Sequence, residues 1–309
     1  MDKLTDKYKI GVICGDLRSV YMAIELENFG FDVCAYGLFD DEVLGIKKIY
    51  DSPQKVIFES NVIILPLPAS KDNIYISSKS PSIKVKLADI VPDLTRGTIV
   101  FGGLLPKYFV DMCKDKGCSV IDYYLSEELV YKNATATAEG ALMIAMSNTH
   151  NTVKDEKYAI FGYGRIASQL AYMLSAMGGE VEIFARSDKA IFDAKSKGYS
   201  VFKIQEETSE KYCEAIAREI EKSSVIFNTV PSIILTEEIL NKMKKKPIYI
   251  ELASSPGGID LESARILKIK NIYAPSLPGR YAPRSAGKYI FEEILKLLYT
   301  LDLEEARGI

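Results

Sequence analysis

The sequence predicts an α/β protein built from two doubly wound parallel-sheet domains, and three observations carry that prediction. The first is size: 309 residues is about twice the ~150 residues of an ordinary domain. The second is a strict alternation of short apolar runs and amphipathic stretches from Lys157 onward. The third is a looser copy of the same rhythm in the first 125 residues. Strands that alternate with helices run parallel, and the helices then cover both faces of the sheet.

In the second half the candidate strands are Tyr158–Phe161, Val181–Ala185, Ser200–Lys203, Val225–Asn228, Ile248–Leu252 and Asn271–Ala274. Helix-like segments separate them at about 166–177, 188–197, 208–222, 236–244 and 261–268. Six strands in this order complete a doubly wound fold. In the first half the strands are Ile10–Cys14, Val33–Tyr36, Val62–Leu65, Thr98–Phe101 and Ser119–Asp122, with helical stretches such as Tyr21–Gly30 between them.

The joint lies between Asn133 and His150. Thr137 can cap a helix there, and residues Ala138 to Met146 are apolar on nearly every side. A helix without a polar face must be buried all round, most simply between two domains. At the far end Ile290, Ile294, Leu297, Leu298 and Leu301 form a helical stripe opposed by Glu292, Glu293 and Lys296. Two domains joined by two crossing helices leave a cleft between them. We expect 1–136 to be a substrate domain, 137–150 an interdomain helix and 151–285 a nucleotide domain, with a last helix, 286–302, packing back on the first.

Composition narrows the function. Hydrophobic residues at 48% and charged residues at 26% are those of a globular protein. A net charge of −3 predicts no general attraction to nucleic acid or anionic membrane. The longest apolar stretches, such as Val62–Ala69 with two prolines inside it, fall short of the ~20 residues of a membrane span. The charged start Met1-Asp2-Lys3-Leu4-Thr5-Asp6-Lys7 lacks the apolar core of a signal peptide, so a cytoplasmic location is expected. The five cysteines, Cys14, Cys34, Cys113, Cys118 and Cys213, include no Cys-x-x-Cys pair and no nearby histidine. They read as reduced structural thiols, and no metal is expected. The single histidine, His150, would have to carry any triad or metal site alone, and reads better as capping or flanking a helix end. Lys244-Lys245-Lys246 reads as a solvated helix end.

Gly162-Tyr163-Gly164-Arg165-Ile166-Ala167 matches the Gly-x-Gly-x-x-Gly/Ala pattern. It directly follows one candidate strand and opens the helix Ser168–Met177. In that setting Gly162 permits the tight turn, Gly164 leaves room for a pyrophosphate, and Ala167 lets helix and strand pack closely. The helix amino terminus then offers N–H groups to the phosphates. This is a Rossmann-like dinucleotide site, and an empty glycine turn is its bland alternative.

The tip of the next strand, Ala185-Arg186-Ser187-Asp188, lacks the acid that usually holds the ribose of NAD. Arg186 can fork onto a 2′-phosphate, with Ser187 adding a hydroxyl. This favours NADP; a solvated Arg186 with Asp188 serving NAD is the alternative. Asn228-Thr229-Val230-Pro231-Ser232 and Glu251-Leu252-Ala253-Ser254-Ser255-Pro256-Gly257-Gly258 follow two later strands. Thr229, Val230, Pro231, Ala253 and Ser254 thus fall where doubly wound sheets bind ligands, and their small side chains leave room for a nicotinamide.

The motifs resemble the dipicolinate synthase A-subunit family. The resemblance is carried by Gly15-Asp16-x-Arg18, Ala138-Glu139-Gly140, Gly162-x-Gly164-Arg165, Ala185-Arg186-Ser187 and Asn228-Thr229-x-Pro231-Ser232. It is strongest in Leu252-Ala253-Ser254-x-Pro256-Gly257-Gly258 and in Ala274-Pro275-x-Leu277-Pro278-Gly279-x-x-Ala282-Pro283-x-Ser285-Ala286-Gly287. One departure is Cys14, where the family's first turn has glycine. The resemblance implies NADP-dependent oxidation of dihydrodipicolinate to dipicolinate, a partner in the dipicolinate synthase B-subunit, and expression in the mother cell of a sporulating bacterium. A homo-oligomer is a further expectation.

A small dicarboxylate substrate needs cations or free N–H groups. Arg18, Arg284, Arg280, Gly279 and the capped start of a helix at Thr137 are candidates, with solvated arginines as the alternative. Asp16 and Glu139 can orient those cations or accept a proton, and Glu139 also suits the first turn of a helix. Forming an aromatic ring is downhill, and the departing proton is acidified by the adjacent imine. Positioning of hydride donor and nicotinamide can therefore carry catalysis without a histidine. The rival readings are another NADP-linked oxidoreductase of a small hydroxy or amino acid, and a non-catalytic NADP(H)-sensing module.

Overall fold

The computed structural model describes residues 2–38, 45–205 and 209–307. Two compact units divide the chain. The first comprises Met1–Asn133 with Pro278–Ile309, and the second Ala134–Leu277.

The first unit holds strands β1 (Lys9–Ile13), β2 (Asp32–Tyr36), β3 (Lys48–Tyr50), β4 (Val62–Ile64), β5 (Ile99–Gly102) and β6 (Ser119–Asp122). They form one parallel sheet in the order β3-β2-β1-β4-β5-β6. Gly11 lets the helix Pro53–Glu59 lie close on β1, because a Cβ there would sit 2.7 Å from Val56 Cγ1. The helix Leu17–Phe29 starts where the Asp16 carboxylate accepts the Arg18 N–H and stops at Gly30, whose φ is +113°. The last helix, Pro283–Arg307, begins three residues before the expected 286 because Pro283 suits a first helical turn. It packs on Leu17–Phe29 through Gly287, whose Cβ would lie 2.5 Å from the Arg18 carbonyl oxygen. Ile290, Ile294 and Leu298 are buried as the stripe requires, and Phe291 joins them. Glu293 departs from the expected polar face, since it is buried too.

The second unit holds β7 (Lys157–Phe161), β8 (Glu180–Ala185), β9 (Ser200–Lys203), β10 (Val225–Asn228), β11 (Ile248–Glu251) and β12 (Asn271–Tyr273). Its parallel order is β9-β8-β7-β10-β11-β12. Numbered within each unit, both sheets read 3-2-1-4-5-6, the doubly wound order. Each sheet is covered by apolar side chains on both faces, so the predicted α/β, Rossmann-like class is the observed one.

Two expectations need correction. The helix expected to start at Thr137 runs from Glu127 to Asn148. It is started by Ser126, whose hydroxyl accepts the Leu129 N–H. Thr137 is therefore mid-helix, its N–H belongs to the helical ladder, and Glu139 is several turns past the first. Nor is the helix buried all round: Glu139, Met143 and Met146 are exposed. The division between the units falls within it, so Leu129 packs into the first core and Ala138, Ala141 and Ala145 into the second. Each half needs only one buried stripe. His150 lies exposed just past its end. The five cysteines are buried and free.

Candidate functional site

At the carboxyl end of β7 the chain turns sharply through Gly162, whose φ is +91°. The Gly162 N–H donates to the Phe184 carbonyl at 2.8 Å, and a Cβ would lie 2.6 Å from Thr229 Oγ1. Both its conformation and its surroundings require glycine. Gly164 is the N-cap of the helix Arg165–Ala176, which begins three residues ahead of the expected Ser168. A Cβ on Gly164 would meet nothing within 4 Å, so the start of this helix faces open space. Ala167 is fully buried in the core below.

That space is a cavity of about 930 Å³. Gly162, Tyr163 and Gly164 form one wall, Ala185, Arg186 and Ser187 the strand-tip rim, and Thr229, Val230 and Pro231 a third side. Arg165 and Ile166 lie in the first helical turn beside it, outside its lining. Ala253 and Ser254 are not in the lining either; the Ala253 N–H is directed at Glu251 Oε1, 3.0 Å away. Lys189 and Asp193 reach the cavity unforeseen. The two stand four residues apart in the helix Asp188–Ser196, a spacing that marks one helical face and is legible in the sequence.

The strand tip carries the residues of both dinucleotide readings. Arg186 is exposed at the rim. Ser187 is the N-cap of Asp188–Ser196, its Oγ accepting the Ala190 N–H at 3.3 Å; its hydroxyl proton remains a donor. Asp188 is paired with Lys203 at 2.8 Å. Hydrogen bonding to that ammonium holds its carboxyl below the usual range. Thr229 fastens the third side to β7, its hydroxyl donating to the Phe161 carbonyl at 2.7 Å. Burial raises the Tyr163 phenol, with smaller contributions from Tyr199 and Asp193.

In the first unit the structure brings Asp16, Arg18 and Gly279 together. Arg18 is 6% exposed. Its Nε donates to Asp16 Oδ1 at 3.0 Å and its Nη2 to Asp16 Oδ2 at 2.8 Å. Nη2 also donates to the Leu67 carbonyl. Burial pulls the guanidinium pKa down, but the Asp16 contact outweighs it and the net shift is upward. A Cβ on Gly279 would lie 2.7 Å from Asp16 Oδ2, so packing against this ion pair explains that glycine. Arg284 stands apart, exposed in the first turn of Pro283–Arg307. Arg280 lies over the Tyr281 ring. Cys14 has φ +61°, which explains why glycine suits that turn.

Comparison with known proteins agrees with the motifs. Residues 9–124 match the family of the dipicolinate synthase A-subunit N-terminal domain. The chain is 28% identical over 304 residues to the dipicolinate synthase A-subunit of Bacillus subtilis (strain 168), covering 97% of this chain and 98% of that protein. The crystal structure of that synthase's A-subunit from Bacillus subtilis superposes with a TM-score of 0.77 at 26% identity, over 96% of this chain and 97% of that one. The A-subunit structure from Bacillus halodurans shares the fold with a TM-score of 0.78 at 24% identity, over 94% and 97%. The resemblance to the dipicolinate synthase A-subunit family is thus borne out along the chain. Among the described residues no helix is long and apolar enough to cross a membrane.

Proposed function

We propose that this chain, similar along its length to the dipicolinate synthase A-subunit, is an oxidoreductase that converts dihydrodipicolinate to dipicolinate with NADP⁺ as acceptor. The observation that carries the proposal is the open glycine turn. Gly164 heads a helix with no side chain of its own at the cap, and faces a cavity of about 930 Å³ rimmed by Arg186 and Lys189. A dinucleotide bound there would supply the hydride acceptor.

The chain's own residues do the rest. The backbone at Gly162 and Gly164 admits a pyrophosphate, and the helix behind it favours negative charge. Arg186, Ser187 and Lys189 offer the two cations and the hydroxyl that a 2′-phosphate requires. Asp188 lies outside the cavity lining, with its carboxylate beside Lys203, which supports NADP over NAD. Arg284, exposed on its helix, is proposed to hold a substrate carboxylate. Asp16 is partly exposed and held in place by Arg18, and is proposed as the proton acceptor. Arg18 itself is proposed to position Asp16. The Asp16 carboxylate would take the proton the substrate releases as its ring becomes aromatic. The same resemblance supports a B-subunit partner and a role in sporulation.

The test is nicotinamide absorbance when the purified chain, with and without the B-subunit, meets freshly generated dihydrodipicolinate and NADP⁺. Reduced cofactor should form with NADP⁺ faster than with NAD⁺. Tight NADP⁺ binding without any turnover would replace the proposal with a sensing role.

A further inference from the structure

Glu251 ends β11 and is buried, 5% exposed. Its Oε1 accepts the Asn228 side-chain amide at 2.7 Å and the Ala253 N–H at 3.0 Å. Its Oε2 accepts the Tyr249 hydroxyl at 2.9 Å and the Gly258 N–H at 2.8 Å. A carboxylate has about four acceptor sites, and here all are filled by donors from four different positions. The following turn is shaped around it. Gly257 has φ +83°, and a Cβ there would lie 2.8 Å from Glu251 Oε2; one on Gly258 would lie 2.4 Å from Asn228 Nδ2.

Two of those donors reach onward to the cavity. The Asn228 amide also donates to the Val230 carbonyl at 2.8 Å, and its Oδ1 accepts the Val230 N–H at 3.2 Å. The Gly258 carbonyl accepts the N–H groups of Ile234 and Leu235, both at 2.9 Å. The segment between, Thr229 to Ile234, forms one side of the cavity. It is therefore pinned at both ends to residues that Glu251 holds.

We propose that Glu251 is a positioning residue for dinucleotide binding, acting through Asn228 and Gly258 to hold the Thr229–Ile234 wall in its ligand-ready shape. This rests on reading the cavity as a nicotinamide dinucleotide site. The device depends on polarity and not on shape. A glutamine of equal size would present an NH₂ group either to the Gly258 N–H or to the Asn228 amide and Ala253 N–H. Buried donors cannot face one another without cost, so the wall must shift.

Fluorescence titration of NADPH tests this on wild type, Glu251→Gln, Asn228→Ala and a matched core variant. Asn228→Ala cuts the link to Val230 and decides the matter should Glu251→Gln fail to fold. Ile220→Val, in the core away from the cavity, supplies a comparable loss of thermal stability. The expected result is a rise in NADPH Kd of about tenfold for Glu251→Gln and Asn228→Ala, with Ile220→Val within twofold of wild type. Values within twofold of wild type for Glu251→Gln and Asn228→Ala would overturn the positioning role. So would an equal loss in Ile220→Val, which would mark the effect as general destabilisation. Absence of NADPH binding to wild type would instead overturn the reading of the cavity.

Discussion

The turns after β1 and after β7 hold the same place in two sheets of the same strand order, yet only one of them is open. After β7 the helix is headed by Gly164, whose missing Cβ would meet nothing within 4 Å. After β1 the corresponding helix is headed by Asp16, whose carboxylate accepts the Arg18 N–H and binds its guanidinium. A Cβ on Gly15 would strike Ser19 Oγ at 2.1 Å. The first turn is filled and carries its own anion at the position where a phosphate would go. The second is left for a ligand. The doubly wound topology therefore does not by itself make a dinucleotide site; the cap residue and the space beside it do.

The largest effect is expected at Arg18. Arg18→Ala removes a buried guanidinium and leaves Asp16 and the Leu67 carbonyl without it, so stability should fall by about 3 kcal/mol. NADP⁺ affinity should stay near wild type. A chemical denaturation curve checks this, and an unchanged midpoint with a raised substrate KM would make Arg18 a substrate ligand instead. Gly164→Asp does the reverse by giving the second turn the acidic cap of the first. We expect NADP⁺ affinity to drop about a hundredfold, ~2.7 kcal/mol, with little change in melting temperature because the site is open. Calorimetry showing less than a threefold loss would refute the contrast.

Smaller effects are expected at Arg186 and Arg284. Arg186→Glu should weaken NADP⁺ by a few tens of fold, a charge-assisted contact being worth ~1.5–3 kcal/mol, and should leave NAD⁺ nearly unaffected. Equal affinity of the two dinucleotides in the unmutated protein would remove the NADP assignment. Arg284→Ala should raise substrate KM about tenfold on the same scale without altering NADP⁺ binding. Unchanged KM and kcat would place Arg284 outside the site.

A pH-dependent effect is expected at the thiols. Burial pushes Cys14 and Cys113 up to about 12 and Cys34 to about 11. At pH 8 these should resist a disulfide reagent until the protein is denatured. An unfolded thiol ionises near about 8.5, below its folded value, so ionisation above that pH favours the unfolded chain. The thermal midpoint should decline between about pH 8 and 10, and rapid labelling of the native protein would contradict this placement.

Much of the second unit is legible in the sequence. Ser200–Lys203 and Val225–Asn228 coincide with β9 and β10, because buried parallel strands are short apolar runs between amphipathic helices. β3 leaves no such signal because Lys48–Tyr50 is brief and largely exposed. The true start of the long helix is legible too, in Ser126-Glu127-Glu128, a cap followed by acids in the first turn. The apolar run after Thr137 is the louder feature and masks it.

Legible in the residues alone are the alternation of strands and helices, the parallel sheets that follow from it, and the glycine turn that opens the cavity. These depend on neighbours a few residues apart. Folding alone fixes that Arg18 is also tied to the Leu67 carbonyl, that Glu293 is buried on a helix of otherwise regular polarity, and that Glu251 gathers four donors. Whether a charged side chain is free or engaged depends on partners brought close by folding, and for Arg18 the Leu67 carbonyl comes from 49 residues away along the chain. Local spacing carries no record of such a partner.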